Sequence, residues 1–265
     1  MRILVANDDG IYSPGILALA RAATRFGDVR IVAPDVEQSS MSHAITHSRP
    51  LTVKRTPIEG FEAYRVNGTP ADCVTLGLDL WEGVDVVLSG INLGYNLGNS
   101  VWHSGTVAAA KQGALLGRRG IAFSTPTRGQ EPDFDRLAEY VDRVLDLLIP
   151  EKWLCLVNVN LPSEPTGVCW ARQSVRHYDS RVVPGQDPAG RTHYWVTVKP
   201  IEEVEEGTDR WAVRQGLVAL TPLRLDLTED DALQRARETK PVDVATTHAG
   251  TTASGNGRGR TPNVR

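Results

Sequence analysis

Cysteine is scarce in this chain. Cys73, Cys155 and Cys169 are the three in 265 residues, far apart and with no C-x-x-C pair, which excludes a disulfide framework and a structural zinc site of the usual spacing. They suit reduced, buried small hydrophobes. No run of about 18 apolar residues is available to span a bilayer, and the chain enters its first extended run at Arg2, leaving no room for a signal peptide. A cytoplasmic location without a membrane partner is expected. An excess of one charge is also missing: 29 Lys and Arg against 32 Asp and Glu leave a net charge of -3, with no general attraction for nucleic acid. The sequence lacks G-x-x-x-x-G-K-[ST], a G-x-G-x-x-G in its first turn, and G-x-S-x-G. A P-loop, a dinucleotide fingerprint and an esterase nucleophile elbow are therefore unsupported.

What is present is an ordinary globular composition, 41% hydrophobic and 23% charged, in a chain long enough for a substantial core. Ile3-Leu4-Val5-Ala6 is an apolar run that ends in Asn7-Asp8-Asp9-Gly10. Asp-Gly after such a run is a hairpin signal, on which the two carboxylates would be turn formers only. Ser13-Pro14, followed by Ile16, Leu17, Ala20 and Ala23 at helical spacing, instead reads as a helix start. The turn then joins strand to helix and places Asp8 and Asp9 at a strand's carboxyl end, where open α/β sheets bind ligands.

The alternation continues. Val29 to Ala33 reads as a second strand, closed by Pro34-Asp35 and a polar loop to Ser42. Leu51 to Val53 and Ala63 to Val66 read as a short β excursion. Thr69-Pro70 opens a helix, and Val84 to Leu88 is a strand apolar on both faces, as in a sheet covered by helices on both sides. A glycine-rich loop is expected from Ser89 to Ser104. An alanine-rich helix follows over Thr106 to Leu116, then a strand at Ile121 to Phe123 and a helix from Asp133 to Leu148. Trp153 to Asn160 reads as the last strand of the main sheet. The expected fold class is α/β, a Rossmann-like, mostly parallel sheet with helices on both faces and a C-terminal β-hairpin-rich appendage. The expected organisation is a core over 1–164, a β-rich appendage with a short terminal helix over 165–239, suited to a subunit contact, and a disordered tail over 240–265.

Three strand ends share one sheet edge: Asp8 and Asp9, Ser39 after the second strand, and Asn92 after Val84 to Leu88. Two carboxylates with neutral Ser and Asn oxygens make an all-oxygen set, which suits one hard divalent cation, Mg²⁺ or Mn²⁺. Taken singly, Ser39 and Asn92 are ordinary loop residues; it is their convergence that counts. Ser104-Gly105-Thr106 precedes the alanine-rich helix, where free N–H groups and the helix dipole favour an anion such as phosphate. An ordinary Ser or Thr cap is the competing account. A cation site and an anion site on one edge are what phosphate ester chemistry needs.

These residues resemble the SurE family of stationary-phase survival proteins, metal-dependent 5'/3'-nucleotidases. The resemblance rests on Asn7-Asp8-Asp9-Gly10 with Pro14-Gly15, Ala33-Pro34-Asp35 leading to Ser39, and Gly68-Thr69-Pro70-Ala71-Asp72-Cys73-Val74. It continues through Ser89-Gly90-Ile91-Asn92, Asn96-Leu97-Gly98 and Ser104 to Ala110, with later echoes in Asn158 to Pro162, Asp187-Pro188, Tyr194-Trp195, Gly207 to Asp209 and Thr221 to Leu223. It implies a divalent cation held by Asp8, Asp9, Ser39 and Asn92, with Asn96, Ser104, Gly105 and Thr106 at the phosphate. It also implies hydrolysis of nucleoside 5'- and 3'-monophosphates, in some members of short polyphosphate, by homodimers or homotetramers formed through the C-terminal hairpin and terminal segment. Trp102-His103 departs from the tyrosine the family often has before Ser104, and His103 is read as a wall residue. The tail after Lys240 matches no part of the family pattern.

The reaction expected from this set is in-line attack of a water on phosphorus, with Asp8 and Asp9 as the catalytic carboxylates. Asp8 acting as a nucleophile that forms an aspartyl phosphate is the enzymatic rival. A nucleotide-binding or sensing protein without turnover is the non-catalytic alternative.

Overall fold

Strand and helix alternate from the first residues. In this computed structural model, which describes residues 1–127 and 129–240, β1 (Arg2–Ala6) leads to α1 (Pro14–Ala23), β2 (Asp28–Pro34), β3 (Val53–Arg55) and β4 (Glu62–Val66). Then come α2 (Pro70–Leu80), β5 (Val86–Leu93), α3 (Gly105–Leu115), β6 (Arg119–Thr125), α4 (Phe134–Leu148) and β7 (Leu156–Asn160). The C-terminal part holds β8 (Gly167–Trp170), β9 (Tyr178–Gln186), β10 (Thr192–Pro200), α5 (Asp209–Arg214), β11 (Leu217–Pro222) and α6 (Asp230–Thr239).

Side-chain alternation in β1 sets the layers, because successive Cβ atoms of a strand point to opposite faces. Ile3 and Val5 enter one core with Ile16 and Leu19 of α1 and Leu137, Val141 and Leu145 of α4. Leu4 and Ala6 enter the other, with Cys73 and Val74 of α2 and Ala109 of α3. Each fully buried Leu or Ile contributes roughly 1.5–3 kcal/mol. A polar residue at any of these β1 positions would strip one layer of its floor.

The sheet order is β3-β4-β2-β1-β5-β6-β7-β11-β8. From β4 to β7 all neighbours are parallel. The chain winds outward from β1 through β2 to β4 in one direction and from β5 through β6 to β7 in the other. The switch point therefore lies between β1 and β5, where such sheets bind ligands beyond the carboxyl ends of their strands.

Three expectations change. The extended runs near 51–66 are not an excursion: β4 pairs in parallel with β2, and β3 closes that edge antiparallel. β7 is not the last strand of the main sheet, since β11 pairs antiparallel with it and β8 parallel with β11. Among the described residues after 165, β8 and β11 join the main sheet, and β9 and β10 form a sheet of their own. Ser89 does not open a loop either, because β5 runs on to Leu93 through a register shift between Ser89 and Asn92. Gly90 allows it: its φ is +122°, and a Cβ there would lie 2.2 Å from the Phe123 carbonyl oxygen. Bulges of this kind re-aim side chains beside active sites.

Residues Met1–Leu225 form one compact unit. The second unit begins at Asp226, and its described part carries α6, whose N-terminus is capped by the Glu229 carboxylate accepting from the Ala232 N–H at 2.5 Å. The tail read as disordered lies, from 241 on, outside the described residues. Among the described residues no helix is long and apolar enough to cross a membrane.

Candidate active site

The chain leaves β1 through a turn that is fastened at every step. The Asn7 side-chain amide donates to the Gly10 carbonyl at 2.9 Å, and the Ile11 N–H donates to the Pro34 carbonyl at 2.9 Å. The Asp8 carbonyl accepts from the Gln38 N–H at 2.8 Å. The loops after β1 and β2 are thereby one assembly, which is why Asp8, Asp9 and Ser39 are neighbours.

Asp8 is 4% exposed and stands against the N-terminus of α3. The Thr106 hydroxyl donates to its Oδ1 at 2.5 Å, and the Thr106 N–H also supports the carboxylate. A Cβ on Gly105 would lie 2.8 Å from both Cβ and Oδ2 of Asp8. Glycine at this position is what lets the carboxylate reach the helix. Burial nevertheless raises the Asp8 carboxyl above its usual range, against the pull of Thr106 and with a further push from Glu37. Asp9 is half-buried, and its Oδ2 accepts from the Leu93 N–H at 3.2 Å. Burial first, then repulsion by Asp8, lifts its pKa from 3.8 to about 6.

Among the described residues neither carboxylate has a Lys, Arg or His within ion-pair distance. Two adjacent carboxylates, one buried and one half-buried, without a counter-charge are unfavourable by themselves, and a cation would relieve both. No group of three or more His, Cys, Asp or Glu able to hold a metal exists among the described residues, which leaves neutral oxygens as the further candidates beside the pair. Asn92 and Ser39 qualify. The Asn92 amide nitrogen donates to the Gly94 carbonyl at 2.7 Å, which leaves its oxygen as the available donor atom. The Ser39 hydroxyl donates to Glu37 Oε1 at 2.6 Å, which leaves the lone pairs of its own oxygen free. The residues present fit a hard divalent cation that keeps part of its water shell.

On the phosphate side the structure divides the expected residues. Ser104 is the N-cap of α3, its Oγ accepting from the Val107 N–H at 3.0 Å, so the ordinary cap is real and its own proton can still be donated. The sequence places Thr106 at the phosphate; in the structure its hydroxyl is committed to Asp8. Asn96 is buried and held from three sides. Its N–H donates to Asn160 Oδ1 at 2.9 Å and its Nδ2 to Ser124 Oγ at 2.8 Å. Its carbonyl accepts from Asn158 at 2.7 Å and Asn160 at 3.1 Å. His103 is exposed.

Sequence reasoning gave no role to Glu37, Ser124, Asn158, Asn160 or Asp209. Asn158 and Asn160 did leave a signal, two polar residues at i, i+2 in an otherwise apolar strand. The buried Asp209 accepts from the Gly98 N–H at 3.0 Å and from Ser174 at 2.6 and 3.0 Å, which ties the segment after Asn96 to the C-terminal part. Thr69 and Asp72 form a capping box. Asp72 also accepts from the Thr46 N–H at 3.0 Å, and Thr69 donates to the Ala44 carbonyl at 2.7 Å. Ser42 bonds the Trp102 and His103 carbonyls at 2.8 and 3.0 Å. The loop that carries Ser39 is thus pinned beside Ser104.

A doubly wound α/β sheet with two carboxylates and neutral oxygens at its switch point, facing a helix N-terminus, is an arrangement suited to phosphate esters. Comparison with known proteins makes the assignment specific. The profile of the family described as "Survival protein SurE" matches residues 3–180, and the chain belongs to that family. It is 50% identical over 241 residues to a Thermus thermophilus protein named 5'-nucleotidase SurE 1, covering 88% of this chain and 96% of the relative. It is 45% identical over 251 residues to the Deinococcus radiodurans 5'-nucleotidase SurE, covering 91% and 93%. The crystal structure of the SurE protein from Aquifex aeolicus superposes with a TM-score of 0.78 at 38% identity, covering 90% of this chain and 99% of that one.

Proposed function

We propose that this chain is a divalent-metal-dependent phosphomonoesterase that hydrolyses nucleoside 5'- and 3'-monophosphates to nucleoside and phosphate. The observation that carries the reading is the uncompensated Asp8 and Asp9 pair set against the N-terminus of α3, in a chain that is half identical to a protein named as a 5'-nucleotidase. Asp8, Asp9, Ser39 and Asn92 would hold one Mg²⁺ or Mn²⁺. When bound, the cation supplies positive charge to a phosphoryl oxygen and lowers the pKa of a water molecule.

The protein's own groups do the rest. Asp9, held through Oδ2 by the Leu93 N–H, keeps Oδ1 to orient the attacking water and take its proton. Thr106 fixes Asp8. The Ser104 hydroxyl, the Gly105 N–H and the α3 dipole face the charge that builds on the equatorial phosphoryl oxygens. Asn96, immobilised by Asn158, Asn160 and Ser124, gives that charge a rigid border. The exposed Val182, Tyr194, Trp195, Val196 and Val198 of the β9–β10 hairpin support self-association as a homodimer or homotetramer.

The test is phosphate release from a panel of nucleoside 5'- and 3'-monophosphates with Mg²⁺ or Mn²⁺, then with chelator. Release that stops on chelation is expected. Binding of a nucleotide without release from any member would instead select the non-catalytic sensor.

A further inference from the structure

A cleft of about 460 Å³ opens beside the carboxylate pair, within the roughly 300–1,000 Å³ of small-molecule sites. One wall is the turn that follows β1 and the other is the loop that follows β2. They meet at Gly10, where φ is +98° and a Cβ would lie 3.6 to 3.7 Å from the backbone of Val36 and Glu37. Asp9 and Ser39 line the cleft, so it shares two residues with the proposed cation site, and Leu93 lines it as well.

Tyr12 stands on the first wall and Val36 on the second, and they are 66% and 60% exposed. Single exposed apolar residues are common; one on each wall of a cleft that contains a reactive carboxylate is a different arrangement. The Tyr12 backbone is anchored on both sides. Ile11 is fully buried, and the Ser13 N–H donates to the Gly10 carbonyl at 3.1 Å across the turn. Among the described residues the Tyr12 ring has no stacking or hydrogen-bond partner. A ring that is free on a fixed backbone can turn its face to a flat group in the cleft.

The charge of the cleft says what lies there. Beyond Asp9, which belongs to the proposed cation site, its lining includes the carboxylates of Asp35 and Glu37 and no Lys or Arg, so this part of it repels a bare phosphate. Hydroxyl and amino donors on a neutral, flat group suit it, and a ribose with its base offers both. The phosphate then sits toward α3 and the nucleoside runs out along the cleft.

We infer that Tyr12 is a specificity-determining residue whose ring stacks on the nucleobase of the substrate, with Val36 on the facing wall. This rests on the nucleotidase reading. Aromatic stacking on a base is worth enough that its loss costs about tenfold in affinity.

The test compares AMP with ribose 5-phosphate, which keeps the sugar and phosphate but has no base. In Tyr12→Ala the ratio of kcat/KM for AMP over ribose 5-phosphate should fall about tenfold, chiefly through KM for AMP, while Tyr12→Phe keeps the ratio of the parent. A ratio that moves less than twofold in Tyr12→Ala, or falls equally in Tyr12→Phe, overturns the inference and leaves the nucleotidase reading standing. If the parent releases phosphate from no nucleoside monophosphate, that reading fails instead. The inference is then judged on adenosine binding by ligand-observed NMR, where tenfold weakening in Tyr12→Ala supports it and unchanged binding sinks it.

Discussion

Gly105→Ala puts one methyl group where the structure has the least room for it. The new Cβ would lie 2.8 Å from both Cβ and Oδ2 of Asp8, while ordinary carbon contacts are about 3.5–4.0 Å. Something must therefore move by about 0.7 Å or more. Asp8 cannot swing aside, because its Cβ is one bond from a backbone fastened to Gln38 and the residue is 4% exposed. Overpacking of this size costs about 1–3 kcal/mol, offset by at most about 1 kcal/mol from replacing glycine in a helix. The net loss, about 0–3 kcal/mol, corresponds to a Tm lowered by no more than about 12 °C for a chain of this size. The site is less forgiving, since a misplacement of about 1 Å costs on the order of 100-fold in rate. A folded protein with kcat for phosphate release down about 100-fold and weakened Mn²⁺ binding by electron paramagnetic resonance is the expected result. Parental kcat and Mn²⁺ affinity in a folded Gly105→Ala protein would refute the placement of Asp8 against α3.

Thr106→Val keeps the shape but removes the 2.5 Å hydrogen bond to Asp8; hydrogen bonds to charged groups are worth about 1.5–3 kcal/mol, and Mn²⁺ affinity should fall about tenfold in a binding titration. Asn160→Leu leaves the buried Asn96 N–H without its acceptor and should cost about 1–3 kcal/mol in urea unfolding, with a lower kcat because Asn96 loosens. A pH series on the metal-free protein tests Asp9. Its folded pKa of about 6 lies above the 3.8 of the free side chain, so between those values the folded state holds more protons and stability falls as pH rises. The shift is worth at most about 3 kcal/mol, and about half that once solvent screening of this half-buried group is allowed for. His43 and His177, whose pKa values are lowered mainly by burial, act in the opposite direction over part of that range, so the informative quantity is a difference. Without metal, Asp9→Asn should gain on the parent as pH rises from 4 to 7, and saturating Mg²⁺ at pH 7 should reverse the order. Parallel pH curves would show that Asp9 is not strained by its surroundings.

What the sequence made legible was local. The apolar run of β1, the Ser13-Pro14 entry to α1 and the Thr69-Pro70 entry to α2 depend on residues within one turn of each other. Even there the reason differed in part, for Ser13 occupies the N-cap position with no side-chain cap hydrogen bond. What stayed hidden depends on register between distant segments. Asn160 lies opposite Ser124 across β7 and β6, and only that pairing turns two asparagines into a clamp on Asn96. β11 and β8 look like parts of an appendage until β11 is seen pairing with β7. The extension of β5 to Leu93 was masked by Gly90, which reads as a loop residue when its neighbour Phe123 is not in view.

The α3 N-terminus carries the same lesson into the chemistry. Sequence offers free N–H groups and threonine at a helix start, and an incoming phosphate is the natural anion to place there. The structure brings an anion of its own, the Asp8 carboxylate, held by Thr106 and admitted by Gly105. The helix end therefore stabilises the Asp8 carboxylate, while burial and then Glu37 push the other way. Asp8 and Asp9 would hold a cation that relieves that conflict, and the remaining donors of α3, beginning with Ser104, stand at the same helix end. Because Asp8 already occupies the α3 N-terminus, the donors left there, the Ser104 hydroxyl among them, would receive the phosphate, and on the reading proposed above the nucleoside would run along the acidic cleft beside Tyr12.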